Sequence, residues 1–354
     1  MHDARVDEPR GAVYGSRIEQ ENDRHMTRNI AVVGCGAIAQ EYHLGAIARR
    51  RRDFDRVWVV DPSEGARTNA CTMVEAEPKA TLRDITDDLH FVIVATPNDN
   101  HFSVAHEALS RGANVLLEKP FVIWPDEGRK LIALAMERGR LLVVNQTRRF
   151  FPHTQELKKR ISSGEFGELR SIVHYEGVKL MWPYMSGAAF SMSARRTGVI
   201  MDMGVHVLDF YQYLLSPTWQ FVSSTHDGFH GPEGLAELHL KADGVPLSGR
   251  LSRYCKQENV ACMDFEDAQV SVSVYEPSLY SITTRTRGRN RRRSIRLPPI
   301  DLALLGDMIL GNFIRAAMGD EQAMCDAQSS LPVIEILDEI YRRAEHYPET
   351  PGKV

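Results

Sequence analysis

Along the first half of the chain, short apolar runs alternate with longer amphipathic stretches. Asn29–Gly34 (NIAVVG), Arg56–Asp61 (RVWVVD), Phe91–Thr96 (FVIVAT), Asn114–Leu117 and Leu141–Asn145 (LLVVN) are rich in β-branched residues and lack polar–apolar alternation. A strand that is apolar on both faces is one buried on both faces, as in a parallel sheet with helices above and below. The segments between include helical stretches at Ala37–Arg50 and Pro125–Arg138, the second with proline in its first turn, where a missing N–H is harmless. The pattern predicts a doubly wound α/β domain over residues 29–146.

After residue 146 the pattern changes. His153–Ser162 reads as a helix, Gly164–Gly167 as a turn, and Ile172–Gly177 opens a series of strands. Asp202–Leu215 interrupts that series as a helix. Strands resume from Trp219 to Leu297, with turns at Asp227-Gly228 and Asp243-Gly244, and Asp301–Met318 and Ser329–His346 close the chain as helices. Strands in series with helices gathered on one side predict an α+β domain over residues 147–346, built on a large, open, mostly antiparallel sheet. Residues 1–28 are polar, lack the apolar centre of a secretory signal and read as a mobile extension; residues 347–354 read as a tail.

Composition narrows the function classes. A length of 354 residues suits two domains. Forty-three basic against 47 acidic side chains give a net charge of −4, which argues against a nucleic-acid partner. The basic runs Arg49–Arg52 and RGRNRRR (Arg287, Arg289, Arg291–Arg293) read as solvated faces, the first closing a helix and the second as a turn between strands. No run of about 18 apolar residues predicts a membrane span. The five cysteines, Cys35, Cys71, Cys255, Cys262 and Cys325, are odd in number and scattered, which suits the reducing cytoplasm. Their spacing matches no zinc site, and no metal is expected.

Gly34-Cys35-Gly36-Ala37-Ile38-Ala39 fits G-x-G-x-x-A between a predicted strand and a predicted helix, the context a dinucleotide site requires. Gly34 permits the tight turn, Gly36 lets backbone approach a pyrophosphate, and Ala39 allows close packing. Ala37 and Ile38 open the helix, whose free N–H groups face the phosphates. Asp61 ends the second strand about 20 residues beyond the glycines, where an acidic side chain holds the adenosine ribose and favours NAD over NADP. The same residue also fits a cap on the turn DPSEG, and nearby Arg67 leaves NADP open. Thr96-Pro97-Asn98 falls at the carboxyl end of a strand, where such sheets bind ligands, and Asn98 suits a ribose or carboxamide. His101 starts the following helix.

Glu118-Lys119-Pro120 falls on the same carboxyl edge, where a partly desolvated Lys119 beside a nicotinamide can share a proton with the reacting oxygen. Asp202 and His206, four residues apart, share one helix face. Taken singly, an EKP reads as a surface turn and D-x-x-x-H as a helix start with a core histidine. Together they stand in a series. Gly34-x-Gly36-x-x-Ala39, Thr96-Pro97-Asn98-x-x-His101, Glu118-Lys119-Pro120, Arg149-Phe150-x-Pro152, Gly164-Glu165-Phe166-Gly167-Glu168-Leu169 and Gly198-x-x-Met201-Asp202-Met203-Gly204-Val205-His206-x-x-Asp209 resemble, in order and spacing, the Gfo/Idh/MocA oxidoreductases over about residues 28–345.

The resemblance implies a Rossmann domain holding NAD, with NADP as the alternative, through Gly34, Gly36, Ala37, Ile38, Asp61, Thr96, Pro97, Asn98, His101, Glu118 and Lys119. It implies that Lys119, Asp202 and His206 meet at the substrate. His206 is then the acid/base, Lys119 polarises the oxygen and Asp202 positions the substrate. The implied reaction moves a hydride between nicotinamide C4 and a hydroxyl or carbonyl carbon of a sugar, nucleotide-sugar or cyclitol, in a dimer or tetramer built on the open sheet. A redox-neutral epimerase or lyase with tightly held NAD is a second possibility. A non-catalytic dinucleotide sensor is a third, disfavoured because an unused buried polar cluster costs stability.

Three features depart from the family pattern. Arg196-Thr197 precede Gly198 where similar sequences carry more glycine, and Trp124 stands where a small cap is common. The substrate loop, Met181–Gly198, is aromatic and arginine-bearing, with Tyr184 suited either to substrate contact or to loop packing. The pairs Arg148-Arg149 and Arg195-Arg196 suit two-pronged binding of a phosphate or carboxylate, or else salt-bridged surface; Arg148 and Arg195 are the substrate candidates.

Overall fold

The computed structural model describes residues 28–179, 196–228, 232–286 and 289–347. Among these, six strands form the first sheet: β1 (Ile30–Val33), β2 (Val57–Val60), β3 (Glu77–Lys79), β4 (Phe91–Val94), β5 (Asn114–Leu117) and β6 (Leu142–Val144). All pairs are parallel, in the order β3-β2-β1-β4-β5-β6. β1, β2, β4, β5 and β6 are buried along their whole length, the reason their sequences show no alternation. The strand order reverses at β1, and the crevice at that switch point opens at the strands' carboxyl ends.

Helices cover the sheet: α1 (Leu44–Arg49), α2 (Glu64–Met73), α3 (His101–Ser110) and α4 (Pro125–Arg138). The continuous helix expected over Ala37–Arg50 contains a wide π turn, Ala39–His43, before α1. The extra residue in that turn carries His43 inward, where it is buried against Glu118. Such turns arise from a tertiary contact rather than from local propensity.

Beyond α5 (Pro152–Ser162), the second sheet runs through β7 (Leu169–Gly177), then, past α6 (Val199–Asp202) and α7 (Gly204–Leu215), β8 (Trp219–His226), β9 (Leu235–Ala242), β10 (Val245–Ser252), β11 (Val260–Phe265), β12 (Ala268–Ser273), β13 (Leu279–Thr286) and β14 (Arg289–Arg296). Helices α8 (Leu305–Met318) and α9 (Ala327–Arg343) follow, and β15 (Glu345–His346) ends the described chain. The nine described strands lie in the order β14-β13-β12-β11-β7-β10-β9-β8-β15, antiparallel except for β7 with β10 and β8 with β15. β9 alternates between buried and exposed positions, with Ala236, Leu238, Leu240 and Ala242 in the core and Glu237, His239 and Lys241 facing outward. Among the described residues no helix is long and apolar enough to cross a membrane.

Three sequence expectations change here. The helix read over Ser329–His346 stops at Arg343, because Glu345 and His346 extend the sheet edge beside β8. The helix read over Asp202–Leu215 begins earlier and breaks at Met203, giving α6 and α7. The basic run is no turn: Arg289 and Arg291–Arg293 lie in β14, paired in register with β13, while Arg287 lies outside the described residues. Charged side chains on an edge strand discourage another chain from adding to it, and every β14 position except Ile295 is exposed.

One buried charge joins the halves. Arg149 sits in the short turn Thr147–Phe150 directly after β6 and is only 2% exposed. Its Nε and Nη2 donate to Asp209 of α7 at 2.9 and 2.6 Å, and its Nη1 donates to the Met324 carbonyl at 3.0 Å and to Ser329 Oγ of α9 at 2.8 Å. A guanidinium in apolar surroundings is tolerable only when paired this completely. Asp209→Ala is therefore expected to lower unfolding free energy by about 3–5 kcal/mol in urea denaturation, because it strands a buried cation. The double variant Arg149→Met/Asp209→Leu is expected to recover most of that loss.

Candidate active site

A cavity of about 680 Å³ lies where the carboxyl edge of the first sheet meets the second domain. Its floor comes from loops after four strands: Gly36–Ile38 after β1, Thr96–Asp99 and His101 after β4, Glu118 and Lys119 after β5, and Asn145 after β6. The facing wall comes from Arg148, Glu176 and Val178, then Arg196, Thr197, Met201–Met203, His206, Arg253 and Tyr275. Most of the sequence-derived site residues thus converge on one void. Tyr184 and Arg195 lie outside the described residues, as do the extension up to residue 27 and the tail from residue 348.

Gly34 and Asp61 shape the glycine loop from behind. Gly34 has φ +94°, and a Cβ there would stand 2.4 Å from the Ala95 carbonyl oxygen. At Gly36 nothing lies within 4 Å of a Cβ, so the open space over this residue is available to a ligand. Asp61 accepts from the Cys35 N–H at 2.9 Å and from the Ser63 N–H at 2.8 Å, so its carboxylate both steadies the loop and caps the next turn. Arg67 donates to the carbonyls of Asp61 and Pro62 at 2.6 and 3.1 Å.

The TPN and EKP turns are tied together by His101. Its Nδ1 lies 2.7 Å from the Pro120 carbonyl and its Nε2 2.9 Å from that of Thr96. Burial favours the neutral ring, which donates from one nitrogen only, so His101 is wedged between the two turns and bonds one of their carbonyls. Glu118 is similarly occupied. It accepts from His43 Nε2 at 2.7 Å and from Asn145 Nδ2 at 2.6 Å, and its other oxygen accepts from the Lys119 N–H at 3.2 Å. Burial raises the pKa of this carboxyl, but His43, Asn145 and Lys119 outweigh it and hold it below the usual range.

Lys119, joined to Pro120 by a cis peptide, projects across the crevice. Its Nζ donates to Asp202 Oδ1 at 2.7 Å and to the Asp202 carbonyl at 3.3 Å. Arg253, beyond the end of β10, donates to the other Asp202 oxygen. Burial pushes the Lys119 ammonium down to about 8; Glu118 and Glu176 pull upward, Arg253 and Arg148 downward. His206 stands in the first turn of α7, one break after Asp202. Burial, then Lys119 and Arg148, push its pKa well below the ordinary imidazole value.

The arginines correct the sequence reading. Arg148 lines the cavity, but its fork is closed on Glu176 at 2.9 and 2.6 Å, so it is no free anion clamp. Glu176 also accepts from the Tyr275 hydroxyl at 2.8 Å and from His174 Nε2 at 3.1 Å. Burial would raise its pKa, but Arg148 and His174 hold it well below the usual range. Arg149 serves the joint described above. Arg196 ion-pairs with Asp338 at 2.8 Å and lies over the rings of Trp124 and Tyr341, 4.0 and 4.9 Å from their centroids. Two of the departures from the family pattern, Arg196 and Trp124, are therefore one contact.

Sequence reasoning missed His43, Asn145, Glu176, Arg253 and Tyr275. None belongs to a local motif; each is brought in by a strand end or by the π turn. Four cavity-lining residues hold a buried polar atom without a partner: Thr96 Oγ1, Asn145 Oδ1, Thr197 Oγ1 and His206 Nδ1. Such atoms cost about 1–3 kcal/mol each unless satisfied, and a bound ligand is the available partner. The open backbone at Gly36 and the orphaned Thr96 and Asn145 atoms fit a dinucleotide on the floor.

Residues 28–146 match a family model described as oxidoreductase family, NAD-binding Rossmann fold, and residues 154–275 match the GFO/IDH/MocA C-terminal domain. The uncharacterized oxidoreductase YhhX of Escherichia coli (strain K12) is 30% identical over 189 residues, 52% of each chain. D-glucoside 3-dehydrogenase of the same organism is 26% identical over 191 residues, 52% of this chain and 53% of that protein. The chain thus spans about half the length of the curated relatives it matches. The solved levoglucosan dehydrogenase complex with NADH and levoglucosan superposes with a TM-score of 0.78 at 18% identity, covering 89% of this chain and 96% of that one, a likeness of fold.

The two glycines of the loop make a contrast that can be measured. Gly34→Ala is expected to lower stability by about 1–3 kcal/mol in thermal or urea unfolding, since it forces an unfavourable backbone onto a clash. Gly36→Ala is expected to melt like the wild type but to lose NADH binding in a fluorescence titration.

Proposed function

This chain belongs to the Gfo/Idh/MocA oxidoreductases, and we propose that it transfers a hydride between C4 of a nicotinamide and a hydroxyl- or carbonyl-bearing carbon of a sugar, nucleotide-sugar or cyclitol. The observation that carries the proposal is the position of Lys119 Nζ, 2.7 Å from Asp202 Oδ1 on a cavity shared with the glycine loop and His206. When bound, the dinucleotide supplies the hydride acceptor or donor. The loop Gly34–Gly36 and the N–H groups of Ala37 and Ile38 would hold its phosphates, Asp61 its ribose, and Thr96, Pro97, Asn98 and the Glu118-Lys119 turn its nicotinamide half.

In oxidation, the substrate C–H pair leaves as hydride and the hydroxyl proton passes to the neutral Lys119 amine; in reduction, the Lys119 ammonium returns it. Lys119 suits this role because its pKa of about 8 lies near working pH, where a general acid–base is most effective. His206 suits it less. Burial, then Lys119 and Arg148, oppose an imidazolium there, so the ring acts as a neutral partner whose unpaired Nδ1 orients a substrate hydroxyl. Asp202 holds the Lys119 side chain and shares the approach to the substrate.

The proposal extends to assembly and location. The exposed Tyr175 and Val222, on strands β7 and β8 of the open sheet, suit cover by a second copy. The five cysteines are all free, as suits the cytoplasm.

Two measurements test the reading. Fluorescence energy transfer is expected to show NADH held more tightly than NADPH, because the Asp61 carboxylate repels a 2′-phosphate, and Asp61→Ala is expected to narrow the gap. Binding of neither nucleotide sinks the proposal. In pH profiles of kcat/KM, alcohol oxidation is expected to rise as pH increases through about 8, as Lys119 loses its proton, and carbonyl reduction to fall over the same range. Lys119→Met is expected to abolish this inflection while retaining NADH binding; an inflection that survives assigns the proton to another group.

A further inference from the structure

Most of the charged side chains on the inner walls of the cavity are already engaged. Arg148 is closed on Glu176, Arg196 on Asp338, and Glu118 is saturated by His43 and Asn145. Lys119 and Arg253 share a single carboxylate, Asp202, one cation on each oxygen. Among the described residues, only Nη2 of the three Arg253 side-chain nitrogens makes a hydrogen bond, and the side chain remains 23% exposed on the cavity wall. Among those residues, the two other Arg253 side-chain nitrogens are left without a partner, in the same cavity as Lys119. The same wall offers the partnerless Thr197 Oγ1 and His206 Nδ1, atoms suited to ring hydroxyls.

We propose that the substrate is an acidic sugar, a polyhydroxylated ring whose carboxylate is received by Arg253 while its reacting C–OH lies at Lys119. This rests on the hydride-transfer reading above and names its substrate class. A carboxylate fits the open donors of Arg253 in shape, since a guanidinium meets it with paired N–H groups. A phosphate monoester carries about −1.5 to −2 at neutral pH and would be repelled more strongly by the neighbouring Asp202 carboxylate. A neutral sugar would leave Arg253 with most of its donors unused.

The experiment compares D-glucuronate with D-glucose, and D-galacturonate with D-galactose, by isothermal titration calorimetry on the wild-type protein with and without NADH. Arg253→Met and Arg253→Lys are treated identically. In at least one pair the acid is expected to bind about tenfold to a hundredfold more tightly than its neutral parent, the range of one charged hydrogen-bonded contact. Arg253→Met is expected to erase that preference and Arg253→Lys to keep part of it, with NADH affinity and melting temperature unchanged in both. Acids held no more tightly than their parents, a preference that survives Arg253→Met, or glucose 6-phosphate binding more tightly than either acid would each overturn the assignment. NADH affinity, measured on the same samples, reports separately on the hydride-transfer reading.

Discussion

A guanidinium that is 2% exposed between two packed halves dictates what must surround it, and Arg149 dictates much of this molecule. It leaves β6 as the first sheet ends, and its fork fits only a carboxylate presented edge-on, which Asp209 supplies from the middle of α7. Its remaining donor reaches the approach to α9 and Ser329 on that helix. Three elements distant in sequence are thereby placed to hydrogen-bond accuracy. A buried pair of this kind adds little net stability over apolar packing, but any alternative docking leaves a charge unpaired at a cost of several kcal/mol. What it secures is register. With α7 fixed, its first turn sets His206, and the break at Met203 sets Asp202 above the end of β5, within reach of Lys119.

The same logic separates what was legible in the sequence from what was not. Strands β1, β2, β4 and β5 announce themselves because burial on both faces forbids polar residues, a constraint written into each short segment. The glycine loop is legible because Gly34 must adopt φ +94° against the Ala95 carbonyl, which no side chain permits. Lys119 and Asp202 were legible as parts of spaced motifs. His43 was not, because its inward turn depends on a π turn whose reason lies at Glu118, 75 residues away. Arg253 looked like any arginine after a strand; its meaning comes from β10 lying parallel beside β7 and ending over the cavity. β15 is two residues added to a sheet edge and carries no pattern of its own. For Arg148 the choice between anion clamp and salt bridge stays open in the sequence, which gives no sign that Glu176, 28 residues on, already fills its fork.

The walls of the cavity are built from charges that cancel locally. Glu176 takes two bonds from Arg148 and one each from Tyr275 and His174, and so stays ionised despite full burial. Glu118 is similarly enclosed, and His101 is packed between two carbonyls. Groups so thoroughly partnered do not reorganise when a ligand enters, which is the condition for electrostatic preorganisation. Against this rigid background, the Lys119–Asp202–Arg253 contact is the place where charge is shared rather than closed.

The approach to α6 shows how the pocket is narrowed at its rim. Arg196 adopts φ +55°, a conformation that costs a non-glycine residue about 1–3 kcal/mol. That strain persists because the guanidinium is held between Trp124 and Tyr341 and anchored on Asp338, and a desolvated cation–π contact contributes on the order of 2 kcal/mol. Two residues later Gly198 is obligatory in another sense: a Cβ there would stand 2.0 Å from the Glu233 carboxyl carbon. That carboxylate accepts from the Ile200 N–H at 3.0 Å and from the Tyr341 hydroxyl at 2.7 Å, so the ring that stacks on Arg196 also braces the first turn of α6. Thr197 is caught between these two fixed points, with its hydroxyl buried and partnerless on the cavity wall. A loop richer in glycine would leave this rim pliable. Here a strained arginine packed between a tryptophan and a tyrosine fixes residues 196–198 beside Asp202.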